Sequence, residues 1–196
     1  MGSAEEHGQL WGKAAQDWAE LQEPMAAPLW EAMLDAGAVG PGIRVLDAGC
    51  GAGDASVLAA SRGARVNGLD AAEALLAIAR ARVPDGDFRR GDLAALPYAA
   101  GVFDAVIAAN VLPYVTDQRR VLAELRRVCA SGGYVVVATW GLQRAVITAS
   151  SSPLCARPCA VCCSHRWGTS LSRSRPRASW TRSSPRRASD PSAGVS

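Results

Sequence analysis

Residues Val45–Asp54 read Val-Leu-Asp-Ala-Gly-Cys-Gly-Ala-Gly-Asp, an apolar strand that runs into an acid and then a Gly-x-Gly-x-Gly turn. Glycines spaced this way permit backbone angles, and a closeness of approach, that side chains forbid. The turn therefore marks a place where a ligand lies against main chain, at the carboxyl end of a strand that feeds a helix. What surrounds the turn decides which ligand.

From Gly40 the pattern alternates strand and helix. Arg44–Asp47 is the first strand, and Ala52–Ser61 the helix it feeds. Arg65–Leu69 is the second strand, followed by a helix over Ala71–Arg82 with Leu75, Leu76 and Ile78 apolar. Asp87–Arg90 is a short third strand. Phe103–Ala109 is the fourth, nearly all apolar, as suits a central strand covered on both faces. Asp117–Ala130 is a helix with Val121, Leu122, Leu125 and Val128 on one face, ended by Gly132-Gly133. Tyr134–Ala138 is the fifth strand. Such alternation implies an α/β fold, a doubly wound parallel sheet with right-handed crossovers. Upstream, residues 5–36 read as helix, with Trp11, Trp18, Leu21, Trp30 and Leu34 apolar and Pro24 and Pro28 as breaks.

Ligands of such sheets sit beyond the carboxyl ends of the strands. Alone, the glycine turn also suits a dinucleotide, or no ligand at all. Two residues argue against a dinucleotide: Asp47 interrupts the apolar strand, and Asp54 stands where that fingerprint needs its third glycine. A carboxylate in the first turn of the helix repels a pyrophosphate from its N-terminus. Asp70 ends the second strand 23 residues past Asp47, placed to accept from both ribose hydroxyls or to cap the next helix, roles one residue can combine. Asp92 follows Gly91 after the third strand and reads, by itself, equally well as a solvated loop acid.

Together the Gly49–Gly53 turn, Asp70, Gly91-Asp92-Leu93 and Asn110 resemble the class I S-adenosylmethionine-dependent methyltransferases, over roughly residues 10–142. Gly91–Val115, with Phe103-Asp104 opening the fourth strand, is similar to the small-molecule branch that includes the ubiquinone and menaquinone methyltransferases. The resemblance implies a Rossmann-like sheet in the order 3-2-1-4-5, a helical cap over residues 1–38 and a cofactor-binding core over 39–142. It implies S-adenosyl-L-methionine as cofactor and a small-molecule methyl acceptor as partner. The cofactor residues it implies are Asp47, Gly49, Cys50, Gly51, Gly53, Asp70, Ala71, Asp92, Leu93 and Asn110. Asp92 would reach the adenine amino group with Leu93 beside the ring, and Asn110 would lie near the methionine end. Asp104 is read as structural.

Many relatives carry a histidine where this chain has Pro113-Tyr114. With only His7 and His165 in the chain, no histidine base is expected in the body, and no catalytic residue is named. The sulfonium is already an activated electrophile, so alignment and water exclusion can supply most of the acceleration. Tyr114 reads as an acceptor contact or as packing. Trp11 and Trp18 read as lining of the acceptor pocket or as anchors of the cap.

The pattern stops after Leu142. Residues 143–196 hold nine of the 21 basic residues, one acid (Asp190), 13 serines and four of the six cysteines. The remainder has twelve basic and seventeen acidic residues, so the overall +3 is a basic tail on an acidic body. This tail reads as disordered, with strands six and seven missing. Nucleic-acid binding by its Ser/Arg runs and zinc binding by Cys155, Cys159, Cys162, Cys163 and His165 are both weak readings. A shifted reading frame between about Gly141 and Ser152 fits better, because one GC-rich codon choice for Ser152–Cys163, read in another frame, gives an amphipathic helix. No alternative frame with helix and strand patterns would sink that reading. No stretch is apolar enough to span a membrane, the N-terminus lacks a secretion signal, and the body holds only Cys50 and Cys129. A cytoplasmic protein without metal, nucleic-acid or membrane partners is expected. Two other functions stay open: a non-catalytic adenosylmethionine-binding remnant and a nicotinamide-dependent oxidoreductase.

Overall fold

A computed structural model describes residues 3–140, 145–150 and 159–163. Five parallel strands lie in the order β3-β2-β1-β4-β5. They are β1 (Arg44–Ala48), β2 (Arg65–Asp70), β3 (Asp87–Arg90), β4 (Phe103–Ala109) and β5 (Cys129–Trp140). The register pairs Val45 with Val66 and with Ala105, so β1 is central and its carboxyl end meets those of β2 and β4. This is the expected order.

Helices cover both faces. Alternation along the strands sends Val45, Ile107 and Val136 to one face, where α3 (Ala27–Ala36), α4 (Asp54–Ser61) and α5 (Glu73–Arg82) bring Trp30, Met33, Leu34, Ala59, Leu76 and Ala79. It sends Leu46, Val106 and Ala108 to the other face, under Val121, Leu125 and Val128 of α6 (Gln118–Val128). Those three α6 residues are fully buried, and each such side chain contributes about 1.5–3 kcal/mol by leaving water. Leu122, expected on the same face, is 40% exposed, because the buried stripe of α6 is one residue wide at that turn. In α5 Leu76 faces the sheet, while Leu75 joins a third cluster with Ala15, Ala19, Trp11 and Trp18 under the N-terminal cap.

The cap is not one helix broken at two prolines. It is α1 (Ser3–Gly12), then α2 (Ala15–Asp17), which continues as a π-turn (Trp18–Gln22) and a 3-10 turn (Glu23–Ala26). Pro24 sits in the 3-10 turn, and Pro28 starts α3, where a missing N–H costs nothing. The π-turn widens the helix by a residue. It turns Ala19 and Glu23 inward, and Leu21, expected inside, lies 65% exposed.

Two further corrections concern the C-terminal side. Gly132 and Gly133 do not end α6, which stops at Val128 on an extended Cys129. They form an irregularity in β5, whose pairing with β4 jumps from Cys129 opposite Phe103 to Tyr134 opposite Ala105. A Cβ at Gly133 would lie 2.6 Å from the Asp104 carbonyl oxygen, so close approach of the two strands selects glycine there. Nor does the sheet end at β5: β6 (Ala145–Ser150) pairs with it antiparallel, and β7 (Cys159–Cys163) pairs antiparallel with β6. An uncovered β5 edge is a row of unpaired backbone groups, and the β-branched run Val146-Ile147-Thr148 suits a strand that fills it. The expectation of a wholly disordered 143–196 segment fails at these two strands, the second of which holds Cys159, Cys162 and Cys163; Cys155 and His165, the other two residues of the zinc reading, lie outside the described residues.

Candidate functional site

The carboxyl ends of β1, β2 and β4 converge on the glycine turn. Gly49, Gly51 and Gly53 all have positive φ, at 81°, 55° and 91°. Each also borders a neighbour that a Cβ would strike or crowd: Val111 at Gly49, the Glu23 carboxylate at Gly51 and Ala79 at Gly53. The turn is fastened to β2, for Gly49 and Cys50 donate to the Leu69 carbonyl at 2.7 and 3.1 Å. The Gly51 N–H donates to Asp70 Oδ2 at 2.9 Å.

Asp70 thus shapes the turn as well as facing the site. Its Oδ1 accepts from Ala72 N–H at 2.9 Å, and α5 begins only at Glu73, so Asp70 closes a tight turn before the helix and is not its N-cap. Burial raises its pKa, while the N–H groups of Ala72, Gly51 and Ala71 pull it back. The bonds from Gly51 and Ala72 use one lone pair on each oxygen, so each oxygen keeps one for a further donor.

Asp47 lies beneath the turn. It is 4% exposed and accepts from Ser56 Oγ of α4 at 2.8 Å, a buried bond that ties β1 to the helix it feeds. Desolvation lifts its pKa to about 7, with Ser56 opposing and the Asp70 charge adding to the rise. From beneath the turn it supports the glycines through this bond to α4. Cys50 is also buried, and desolvation with the carboxylates of Asp47, Asp70 and Glu23 pushes its thiol well up, so it is not a thiolate nucleophile.

Asp92 is exposed and accepts from Ala94 N–H at 2.8 Å. Leu93 is half-buried, and its Cδ1 lies 3.9 Å from where a Gly49 Cβ would stand, so the loop after β3 reaches across to the glycine turn. A clamp from α6 holds that loop: Glu124 accepts from Leu96 N–H at 2.8 Å, and Arg127 donates to the carbonyls of Leu96 and Tyr98 at 3.0 and 2.8 Å. Arg120 donates to the Ala94 carbonyl at 2.8 Å. Asn110 follows β4 at φ 56°, a left-handed conformation that asparagine adopts more readily than most residues with a side chain. Its N–H donates to Ala138 at 2.8 Å, while its Oδ1 is buried with no partner among the described residues. An orphaned buried acceptor is costly and signals a missing donor.

The sequence gives no sign of the next feature. Glu23, from the cap, is 4% exposed; its Oε1 accepts from Ala52 N–H at 3.1 Å, and its Oε2 from Arg82 at 2.9 Å. Arg82 also donates to Asp54 at 2.8 Å and to the carbonyls of Ala52 and Ala19, both at 3.0 Å. One guanidinium therefore joins the cap, the turn and α4. Desolvation, reinforced by Asp54, lifts Glu23 to about 7 against the pull of Arg82. Burial raises Asp54 as well, again against Arg82.

The cap lies across the strand ends. A Cβ at Gly8 would fall 2.5 Å from the Ala71 carbonyl oxygen, so α1 touches the end of β2. Beside it Trp11 packs edge-on against Trp18 and Tyr114, with ring centroids 4.9 and 5.6 Å apart. His7 also packs against Tyr114, at 5.7 Å, and its Nδ1 is buried without a partner among the described residues. The tryptophans thus pack with the cap cluster of Ala15, Ala19 and Leu75, and Trp11 also meets Tyr114 after β4. Folding of the cap brings His7 beside Tyr114, just after β4.

Residues 46–137 match the model of a methyltransferase domain family. An uncharacterised protein of Mycobacterium tuberculosis is 36% identical over 138 residues, 68% of this chain and 50% of that protein. A demethylmenaquinone methyltransferase of Renibacterium salmoninarum is 40% identical over 121 residues, 59% of this chain and 51% of the relative. The chain thus spans about half the length of the curated relatives it matches. Among solved structures, an S-adenosylmethionine-dependent methyltransferase from Mesorhizobium loti superposes with a TM-score of 0.52 at 36% identity, covering 58% of this chain and 53% of that one.

Proposed function

Because the chain belongs, through residues 46–137, to the class I adenosylmethionine-dependent methyltransferases, we propose that it transfers a methyl group from S-adenosylmethionine to a small-molecule acceptor. The observation that carries this reading is the glycine cradle set among buried carboxylates. Asp47 and Glu23, each lifted to about 7, and Asp70 and Asp54, each raised, surround the turn with Arg82 as the cation in contact with it. Carboxyls held partly protonated by desolvation ionise more readily beside a positive charge, so the cluster favours a cationic ligand. It opposes the pyrophosphate that a nicotinamide dinucleotide would bring to the N-terminus of α4.

Adenosylmethionine fits these residues. Its bound form supplies a methyl group already activated on a sulfonium. Asp70 keeps acceptor capacity for the ribose hydroxyls, Leu93 offers an apolar wall with Asp92 beside it for the base, and the Asn110 Oδ1 takes a donor it otherwise lacks. Positioning and exclusion of water fall to α1, whose Trp11 and His7 close over Tyr114. A small acceptor suits a site covered by side chains from a helical cap, and the demethylmenaquinone methyltransferase relative supports that class.

Calorimetric titration of the full chain with S-adenosylhomocysteine and, separately, NADH tests the reading. Binding of S-adenosylhomocysteine and no heat from NADH is expected. NADH binding alone would sink it, and S-adenosylhomocysteine binding without methyl transfer from labelled adenosylmethionine to any candidate quinone, phenol or amine would leave a binding remnant.

A further inference from the structure

The space above Gly51 is defined by two side chains of the cap. A Cβ placed on Gly51 would lie 2.9 Å from Glu23 Oε1 and 3.3 Å from Trp18 Nε1. A carboxylate acceptor and a donor-only indole N–H thus face one point, directly over the middle glycine of the turn. Both come from the segment widened by the π-turn, the local irregularity that turns Glu23 inward. π-turns are rare and frequently fall at functional positions.

An acceptor that carries negative charge, paired with a neutral donor at this spacing, complements an α-amino-acid zwitterion: ammonium to the first, carboxylate to the second. Glu23 Oε1 has one bond, from Ala52 N–H at 3.1 Å, and so keeps a lone pair. Resting on the adenosylmethionine reading, we propose that Glu23 and Trp18 form the subsite for the amino-acid arm of the cofactor, Glu23 accepting from its ammonium and the Trp18 indole donating to its carboxylate. Arg82 is then a positioning residue. Its contacts to Glu23 Oε2, Asp54 Oδ1 and the carbonyls of Ala19 and Ala52 hold that carboxylate at the turn without touching the ligand.

The arrangement also links binding to pH. The groups that act on Glu23 are Arg82 from α5, Asp54 from α4 and Asp47 from β1, and its carboxyl titrates at about 7. The ammonium binds the ionised form, so affinity for the amino-acid arm rises from pH 6 to pH 8. Asp47 titrates in the same range, but it lies under the turn and affects any ligand of the site alike.

The test compares two probes on the full chain: S-adenosylhomocysteine, and 5′-methylthioadenosine, which keeps the adenosine and the thioether but lacks the amino-acid arm. Glu23→Gln keeps the shape and removes the charge. It is expected to weaken S-adenosylhomocysteine about tenfold or more, as loss of a charge-assisted bond does, and to leave 5′-methylthioadenosine within about twofold. The pH dependence of its S-adenosylhomocysteine affinity between pH 6 and 8 is also expected to match that of its 5′-methylthioadenosine affinity. Trp18→Phe, which leaves the Arg82 contacts intact, is expected to cost S-adenosylhomocysteine about threefold to tenfold with the same selectivity. Equal losses for both probes, or no loss in a Trp18→Phe protein that unfolds at the wild-type temperature, would overturn the assignment. If the unaltered chain binds neither probe, the cofactor reading itself fails and takes the subsite with it.

Discussion

The two ends of β1 and β4 treat carboxylates in opposite ways. At the amino ends, Asp104 accepts from Arg44 through its backbone N–H at 3.0 Å and through its guanidinium at 3.0 and 2.8 Å. That pair is open to solvent, and the guanidinium holds the Asp104 carboxyl below its ordinary range. At the carboxyl ends, Glu23, Asp47, Asp54 and Asp70 are all raised, chiefly by desolvation. One end satisfies its charge with a local partner and gains a little stability. The other gathers four carboxyls around one arginine and holds protons that a cation arriving from outside would release, because a nearby positive charge favours the ionised forms.

The most severe way to test this contrast is to remove the arginine at each end. Arg82→Ala leaves Glu23 and Asp54 without their partner in a largely buried setting, and a loss of about 3–5 kcal/mol of unfolding free energy in urea is expected. Arg44→Ala removes an exposed pair and is expected to leave the urea midpoint almost unchanged. Equal losses at the two ends would erase the distinction.

A smaller effect is expected at the turn. Gly49→Ala forces a side chain into φ 81° and into Val111, at a cost of about 1–3 kcal/mol for the strain with the clash in addition. It should also abolish S-adenosylhomocysteine binding, which calorimetry would read.

pH separates the ends next. Glu23 and Asp47 rise to about 7 from ordinary values of 4.5 and 3.8, so between those limits the folded chain holds protons that the unfolded chain has released. Their contribution to stability is therefore greatest below about pH 4 and falls as pH rises to about 7. Asp104 and Glu124, both lowered, act in the opposite sense, and their contribution is lost as pH falls below their ordinary range. Asp47→Asn is expected to flatten the fall in melting temperature between pH 4 and 7 without altering the acid limb. The smallest effect belongs to Leu122→Gln, on the exposed side of α6, expected within about 0.5 kcal/mol of the parent in the same urea experiment.

The five parallel strands, and the helices between them, were legible in the sequence because apolar periodicity and glycine placement act within ten residues or so. Gly49–Gly53, Asp70 and Asp92 were legible for the same reason: each follows a strand. What the sequence hid depends on distance or on irregular backbone. Glu23 and Arg82 are 59 residues apart and meet only because a π-turn rotates one of them inward. The clamp of Glu124 and Arg127 on the loop that carries Leu93 spans about thirty residues. His7 looked remote from the site until α1 folded back over the end of β4. Gly132-Gly133 resembled a helix stop, but what sets their identity is the approach of β4 to β5.

Amide chemical-shift mapping during a titration with S-adenosylhomocysteine tests the contrast between the ends most directly. Shifts confined to Cys50, Gly51, Ala52, Ala71, Leu93, Asn110 and the cap around Trp18 and Glu23, with Arg44 and Asp104 still, are the expected result. Shifts centred on Arg44 and Asp104, or none at all with saturating ligand, would contradict it.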